Sequence, residues 1–72
     1  MAEFRFLGYI ADISGKKRVS ISLENPGKLR DILKVEFPED RCIVLVNQRV
    51  GNFDSLIRNG DKVVIMPMIS GG

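Results

Sequence analysis

Apolar and polar residues alternate along two stretches near the N-terminus, and this pattern predicts two β-strands. In the first stretch Phe4 and Phe6 are separated by a polar residue. In the second, residues 18–24, every other residue is apolar, as in a strand with one face buried. The turn residues Gly15-Lys16-Lys17 lie between the two stretches. Together they predict a β-hairpin.

The segment after the hairpin has helical spacing instead. Asn25 and Pro26 are typical of a helix start, and Pro38 of a helix end, so we expect a helix over residues 27–37. Its apolar residues fall on one face, which should pack on the sheet. The expected contacts join the helix residues Leu29, Ile32 and Leu33 to the sheet residues Phe4, Phe6, Ile21 and Leu23.

The second half of the chain predicts three more strands. Residues 42–46 are apolar without alternation, which is typical of an interior strand. Residues 48–50 predict a short edge strand, and residues 62–66 a last strand that follows a turn at Asn59-Gly60. A loop or single helical turn is expected at Phe53, Leu56 and Ile57. The pattern as a whole predicts an α+β domain with one main helix on a sheet of four or five strands.

Composition narrows the possible functions. A chain of 72 residues forms one domain and buries only about 60% of its unfolded surface. The absence of His excludes histidine catalysis and His-ligated metal sites, and a single cysteine, Cys42, excludes an internal disulfide. We expect Cys42 to be buried and unreactive. The net charge of +2 comes from basic residues dispersed among acidic ones, with no aromatic stacking motif, so we do not expect nucleic-acid binding.

No segment has the pattern of a signal peptide or of a membrane span. The N-terminus lacks a basic region followed by a long apolar stretch, and the longest apolar runs are far shorter than the roughly 20 residues that a spanning helix requires. The single cysteine suits a reducing compartment. We therefore expect a cytoplasmic domain with no membrane partner.

The last five residues do not fit the pattern of the domain. Pro67 cannot donate a hydrogen bond to a sheet, and Ser70-Gly71-Gly72 has almost nothing to bury. The sequence therefore predicts a domain over residues 1–67 and a flexible tail over residues 68–72. Extended, that tail reaches about 17 Å, which is enough to enter the active site of another protein.

The tail is also where chemistry is expected. The sequence shows no nucleophile with a base beside it, so an active site of the usual kind is not predicted. A terminal carboxylate at Gly72, in contrast, can attack the α-phosphate of ATP when another enzyme stabilises the charge. Gly71 and Gly72 carry no side chains, which lets the carboxylate pass through a narrow channel.

These features resemble the ubiquitin-like sulfur carriers of the MoaD/ThiS family. The ending Asn59–Gly72 is similar to the family's Gly-Asp turn, strand, proline and Gly-Gly tail. Residues 6–15 resemble the first strand and turn of the small subunit of molybdopterin synthase, and Asn47 lies where the family often has an Asn. The resemblance covers essentially the whole chain. It implies the β-grasp (ubiquitin-like) fold.

The resemblance also implies a role for each tail residue. A MoeB/ThiF-like adenylating enzyme, using ATP and magnesium, would adenylate Gly72, and a persulfide would convert it to a thiocarboxylate (1-thioglycine). Gly71 would provide the narrow approach, and partners would contact Met68, Ile69 and Ser70. The chain itself would be a carrier without a bound cofactor or metal, and a small subunit of a sulfurtransferase such as molybdopterin synthase, with that enzyme's large subunit as a further partner.

Two departures keep other pathways open. Met68 stands where the molybdopterin synthase subunit commonly has a second proline, and the segment 38–41 is short. Molybdopterin biosynthesis is the favoured pathway, while thiamine biosynthesis and tRNA thiolation remain alternatives. A ubiquitin-like modifier joined through Gly72 to lysines is another alternative. A small binding module with an incidental Gly-Gly end is the last.

Overall fold

The structure, a computed structural model, describes residues 1–68. Its elements are β1 (Ala2–Phe6), α1 (Tyr9–Ser14), β2 (Arg18–Ile21), β3 (Gly27–Lys28), α2 (Leu29–Leu33), a 3₁₀ turn (Glu39–Arg41), β4 (Cys42–Val46), β5 (Arg49–Gly51), β6 (Leu56–Ile57) and β7 (Lys62–Pro67). Within these residues, five strands form a mixed sheet in the order β2-β1-β7-β4-β5, and β3 pairs with β6 in a small second sheet. The mixed sheet with helical segments on one face confirms the predicted α+β class and β-grasp fold. No helix among residues 1–68 is long and apolar enough to cross a membrane.

The register places β7 between two neighbours. β1 runs parallel to β7, with Phe4 opposite Val63, and β4 runs antiparallel to it, with Val44 opposite Ile65. β1 also pairs with β2 in the predicted antiparallel hairpin. β5 and β2 are therefore the two edges of the sheet.

Alternate residues of the central strands point to one face and form the core. On β1 every second residue is buried from Ala2 to Phe6, and β7 continues this layer with Val63 and Ile65. Leu29 of α2 is completely buried, and Ile32 and Leu33 pack against the core at its border, as expected. The sheet residues predicted to receive this helix also belong to the core or border it: Phe4, Phe6, Ile21 and Leu23.

The prediction of a helix over residues 27–37 is wrong in its length. α2 spans only five residues, because Gly27 and Lys28 pair with β6 as strand β3 and Lys34 adopts a left-handed conformation (φ 55°) that ends the helix. The extended chain that follows buries Phe37 between two other rings, with centroids 5.9 Å from both Phe6 and Phe53. Burial and stacking of this ring outweigh the modest propensity of the four residues 34–37 to stay helical.

The sequence pattern also missed α1. This helix lies within the connection of the β1–β2 hairpin, where only a turn was expected. Gly8 and Gly15 flank it, both with positive φ, and Ile10 alone is fully buried. A six-residue helix with one buried position has too little periodicity to be recognised from sequence.

The remaining strands agree with the prediction to within a residue or two. β4 has the predicted bounds 42–46, whereas β5 begins and ends one residue later than expected and β7 extends to Pro67. Leu56 and Ile57 form a short strand rather than a helical turn, and Phe53 is a buried loop residue. The loop expectation is therefore correct only for Phe53.

A hydrogen-bonded turn holds the start of β7. Asn47, with φ 51°, accepts a hydrogen bond from the backbone N–H of Lys62 (3.0 Å) and donates one from its amide to Asp61 (2.9 Å). Asp61 also accepts from the backbone N–H of Arg58 (2.8 Å). The bond from Asn47, followed by the one from Arg58, lowers the pKa of the Asp61 carboxyl from its ordinary value of 3.8.

This turn predicts a specific acid sensitivity. Because the pKa of Asp61 is lower in the folded than in the unfolded protein, its ionised form stabilises the fold above about pH 4, and that contribution is lost as pH falls through the folded value. We expect Asp61→Asn to be less stable than the wild type near pH 7, and the difference to shrink as pH falls below about 4; it should be small because the carboxylate is largely accessible to solvent. Urea unfolding across this pH range measures it. Two curves that run parallel down to pH 2 would contradict the assignment.

The same substitution, Leu→Ala, should reduce stability by different amounts inside and outside the core. Leu29→Ala removes a fully buried side chain and should lower the free energy of unfolding by about 3 kcal/mol. Leu56→Ala, at a side chain that is 52% exposed, should cost less than about 1 kcal/mol. Urea denaturation of both variants at neutral pH tests this. Equal losses would mean that α2 does not cover the core.

Candidate functional site: the root of the tail

Of the predicted site residues, the structure describes only Met68. Ile69, Ser70, Gly71 and Gly72 lie outside the described residues, and with them the predicted flexibility of the tail from residue 69 onward. What the structure does define is the root of the tail, by which we mean Pro67 and Met68 with the residues that contact them. The root fixes where the tail leaves the sheet.

Met68 continues the sheet by one residue. Its backbone N–H donates to the carbonyl of Arg41 over 2.8 Å, in the same register that pairs Cys42 with Pro67. The sheet pairing therefore extends beyond the boundary at residue 67 that the sequence predicted. The side chain of Met68 remains 52% exposed. Its backbone is held while its side chain is available to a partner.

Pro67 contacts the start of α1. A Cβ placed on Gly8 would lie 3.0 Å from Cγ and 3.3 Å from Cδ of Pro67, so the proline ring passes close to the glycine backbone. Next to this contact, the backbone N–H of Leu7 donates to the carbonyl of Ile65 (3.0 Å). The root is thus held by β4 on one side and by the β1–α1 connection on the other.

The sheet face opposite the core is apolar near this root. Since side chains alternate along a strand, the neighbours of the core residues point to this outer face. The register places Val64 between Leu45 and Arg5, and Met66 beside Ile43. We define the outer face by its apolar residues Ile43, Leu45, Val50, Val64 and Met66 and by the charged residues at its border, which are the basic Arg5, Arg18 and Lys62 and the acidic Glu3.

Sequence reasoning did not identify the outer face as a functional surface. The signal was present in the run 42–46, because a strand that is apolar at every position is apolar on both faces. α1 and α2 supply buried residues only to the core face, and Val50 on the other face is 82% exposed. A contiguous apolar surface left open in this way is typical of an interaction site.

Cys42 lies at the beginning of β4 and is only 8% exposed, as predicted. Its pKa is raised, first by burial and then by the nearby carboxylates of Asp40 and Glu39. Both effects disfavour the thiolate, which is the reactive form of cysteine. The thiol therefore does not have the environment of a nucleophile.

The described residues offer little else for catalysis or metal binding. Among residues 1–68, no three His, Cys, Asp or Glu side chains lie together in a way that could hold a metal ion. The ion pairs that Arg30 makes with Glu39 and Asp54, both at 2.9 Å, are exposed and connect α2 to two loops. The site that stands out is the root of the tail together with the adjoining outer face.

One family model and several solved structures match this chain. The ThiS family model matches residues 4–72. The crystal structure of SAMP1 from Haloferax volcanii superposes with a TM-score of 0.74 at 20% identity, covering 99% of this chain and 98% of that one. Subunits 1 and 2 of molybdopterin-converting factor from Helicobacter pylori form a complex in which one chain matches with a TM-score of 0.60 at 24% identity, covering 99% and 97%.

A third structure is also a complex. A chain of the BexX/CysO complex of Amycolatopsis orientalis matches with a TM-score of 0.70 at 16% identity over 100% of both chains. No curated protein sequence matches this chain. At these identities the structural matches establish the shared fold.

The environment of Cys42 predicts low thiol reactivity. In the native protein the thiol should react with an aromatic disulfide reagent at least about tenfold more slowly than in urea, because burial and the adjacent carboxylates disfavour the thiolate. Absorbance of the released thiolate measures both rates. Equal rates in native and denatured protein would show that Cys42 is accessible.

Proposed function

The chain belongs to the ThiS family, and from this membership we propose that it is a sulfur carrier activated at the carboxylate of Gly72. It acts as a carrier, and as a small subunit, rather than as an enzyme in its own right. The observation that supports this best is the root of the tail, where the backbone of Met68 is fixed by Arg41 while its side chain is exposed. A fixed root presents the residues after it to an active site on another protein.

The proposed chemistry has three steps. An oxygen of the Gly72 carboxylate attacks the α-phosphorus of ATP, bound with magnesium by the activating enzyme, and pyrophosphate leaves. The terminal sulfur of a persulfide then attacks the carbonyl carbon of the acyl-adenylate, and AMP leaves. A second thiol cleaves the resulting S–S bond, which yields the thiocarboxylate on Gly72 and a disulfide. In this proposal the activating enzyme binds ATP together with magnesium, and the chain itself binds no cofactor.

The outer face is the proposed docking surface for the activating enzyme. It lies on the same strands as the root, with Met66 two residues before Met68. Its apolar centre favours a partner with an apolar patch, and Arg5, Arg18 and Lys62 favour acidic residues around that patch. Docking here leaves the tail, including Ile69, Ser70 and Gly71, free to enter the partner's active site.

Molybdopterin biosynthesis is the pathway we propose, with the large subunit of molybdopterin synthase as the second partner. The structural match to a chain of the H. pylori complex of molybdopterin-converting factor subunits supports it. The free, buried Cys42 is compatible with the reducing environment of the cytoplasm, where we place this chemistry.

A protein modifier is the second candidate function. The match to SAMP1, which a second crystal structure from Haloferax volcanii calls small archaeal modifier protein 1, favours it. The activation step is the same for both functions. They differ in whether the activated Gly72 accepts sulfur or the amine of a lysine. Thiamine biosynthesis and tRNA thiolation share the sulfur step and remain alternatives for the pathway.

Deletion of Gly72 provides the direct test. With its activating enzyme, ATP, magnesium and a persulfide donor, the wild-type chain should exchange one carboxylate oxygen for sulfur, and the deletion variant should not. Gly71→Val should also block the exchange, because it adds a branched side chain where a narrow channel requires none. Intact-mass spectrometry measures the replacement of oxygen by sulfur.

Cys42→Ala is the matched control for this test. It removes the one thiol of the chain and should leave the exchange unchanged, provided that urea unfolding shows an intact fold. If the Gly72 deletion gains sulfur as readily as the wild type, the carrier function is refuted. If Cys42→Ala folds but gains none, the thiol rather than the terminus is the acceptor.

A further inference from the structure

The root of the tail contains one contact that the family membership does not explain. Gly8, the residue before α1, packs directly against the ring of Pro67, the last residue of β7. Gly8 has φ 56° and ψ −142°, a combination that is essentially restricted to glycine. The two residues are far apart in the sequence, so the fold rather than local geometry brings them together.

We propose that Gly8 is a positioning residue for tail activation: its missing side chain lets the Pro67 ring lie against the start of α1, and this contact sets the direction in which the chain leaves the sheet. The inference rests on the proposed function and assigns to it a residue distant from Gly72. Gly8 does not touch the reacting atoms. It acts through Pro67 and Met68.

The contact is tighter than an ordinary contact with a methyl group. A methyl group on Gly8 would approach Pro67 Cγ to 3.0 Å and Cδ to 3.3 Å, so one of the two segments must shift. The β1–α1 connection is anchored on both sides of Gly8, since Ile10 is fully buried and Leu7 donates to Ile65, two residues before Pro67 on β7. The proline ring is itself rigid. The displacement therefore falls on the end of β7.

The end of β7 is the position at which a small shift has the greatest consequence for the tail. The next residue, Met68, makes the last described hydrogen bond of the sheet, to Arg41. Four residues separate Met68 from the end at Gly72, and an extended chain of four residues spans at most about 14 Å, so a turn of roughly 10° at the root would move such a terminus by about 2 Å. Reactions in a preorganised site are sensitive to misplacements of about 1 Å.

The structure supplies a matched control at the other end of the same helix. Gly15 also has a positive φ, 79°, but a Cβ at this position would meet nothing within 4 Å. Gly15→Ala therefore imposes an unfavourable backbone conformation on α1 without a contact to the root. Gly8→Ala adds the contact with Pro67 and a larger backbone strain, because ψ is −142° at Gly8 but 4° at Gly15, and the double variant with Pro67→Ala separates these two effects.

Two readouts separate a positioning role from a loss of stability. The first is hydrogen exchange of the Met68 amide in the isolated protein, which requires no partner. The second is adenylation by the activating enzyme, followed as pyrophosphate release, at a temperature where urea unfolding shows every variant folded. We expect Gly8→Ala to exchange the Met68 amide at least about tenfold faster than Gly15→Ala. We also expect its kcat to fall about tenfold or more, with KM within about twofold because the outer face is untouched.

The double variant tests the contact itself. Pro67→Ala removes the ring and should by itself lower kcat, because the root loses its support. In Gly8→Ala/Pro67→Ala the new methyl group occupies space that the ring has left. The combined effect should therefore be smaller than the product of the two single effects.

Each outcome decides the proposal. Equal exchange rates of the Met68 amide in Gly8→Ala and Gly15→Ala would show that the contact with Pro67 does not hold the root. Faster exchange in Gly8→Ala with an unchanged kcat would refute the positioning role. If the fall in kcat of the double variant equals the product of the two single effects, Gly8 does not act through Pro67. If the wild type is not adenylated at all, the proposed function fails and the role in activation fails with it, whereas Met68 exchange still decides whether Gly8 fixes the root.

Discussion

The parallel pairing of β1 with β7 is the constraint on which the rest of the structure depends. It places Phe4 beside Val63 and Phe6 beside Ile65, so the first and last strands together supply the centre of the core. Parallel neighbours require a long crossover between them, and here that crossover is most of the chain. α1 and α2 lie within it and cover one face of the sheet. The other face is left with the apolar residues of β4 and β7 facing outward.

The same pairing determines how the tail is presented. β7 has neighbours on both sides, and its ladder with β4 continues to the bond between Met68 and Arg41. The segment after it therefore begins from one of the best-supported strands of the domain. A chain of 72 residues has little core to spare, and a reactive group buried within it would cost stability. The terminal carboxylate that we propose as the reactive group avoids that conflict, because it is not among the core residues that the structure describes.

The sequence predicted the parts of the fold that depend on local pattern. Alternation identified β1 and β2, the apolar run identified β4, and the position of Leu29 on the core was correct. α1 was missed because a six-residue helix has too little periodicity, whereas the length of α2 was wrong for a tertiary reason. Residues 34–37 leave the helical conformation so that Phe37 can stack with Phe6 and Phe53, two rings that are distant in the sequence. Such a choice depends on tertiary packing, which outweighs local propensity.

The candidate site was also only partly predictable from the sequence. The Gly-Gly ending and the family resemblance were visible in the sequence, whereas the extension of the sheet to Met68 and the contact between Gly8 and Pro67 depend on register and were not. From the sequence alone, Gly8 is recognisable only as a glycine that follows a strand. Its role becomes apparent when β7 is placed beside β1.

The outer face and the root are most informative when taken together. An open apolar surface exposes a small protein to nonspecific association, so its retention calls for a partner that covers it. Met66 belongs to that surface and Met68 to the root, and the same β4–β7 ladder holds both. A partner that binds the outer face therefore meets the tail at a defined starting point, Met68. Recognition and delivery of the terminus then depend on one rigid element, which explains why the contact between Gly8 and Pro67 matters for a reaction that takes place beyond the end of the sheet.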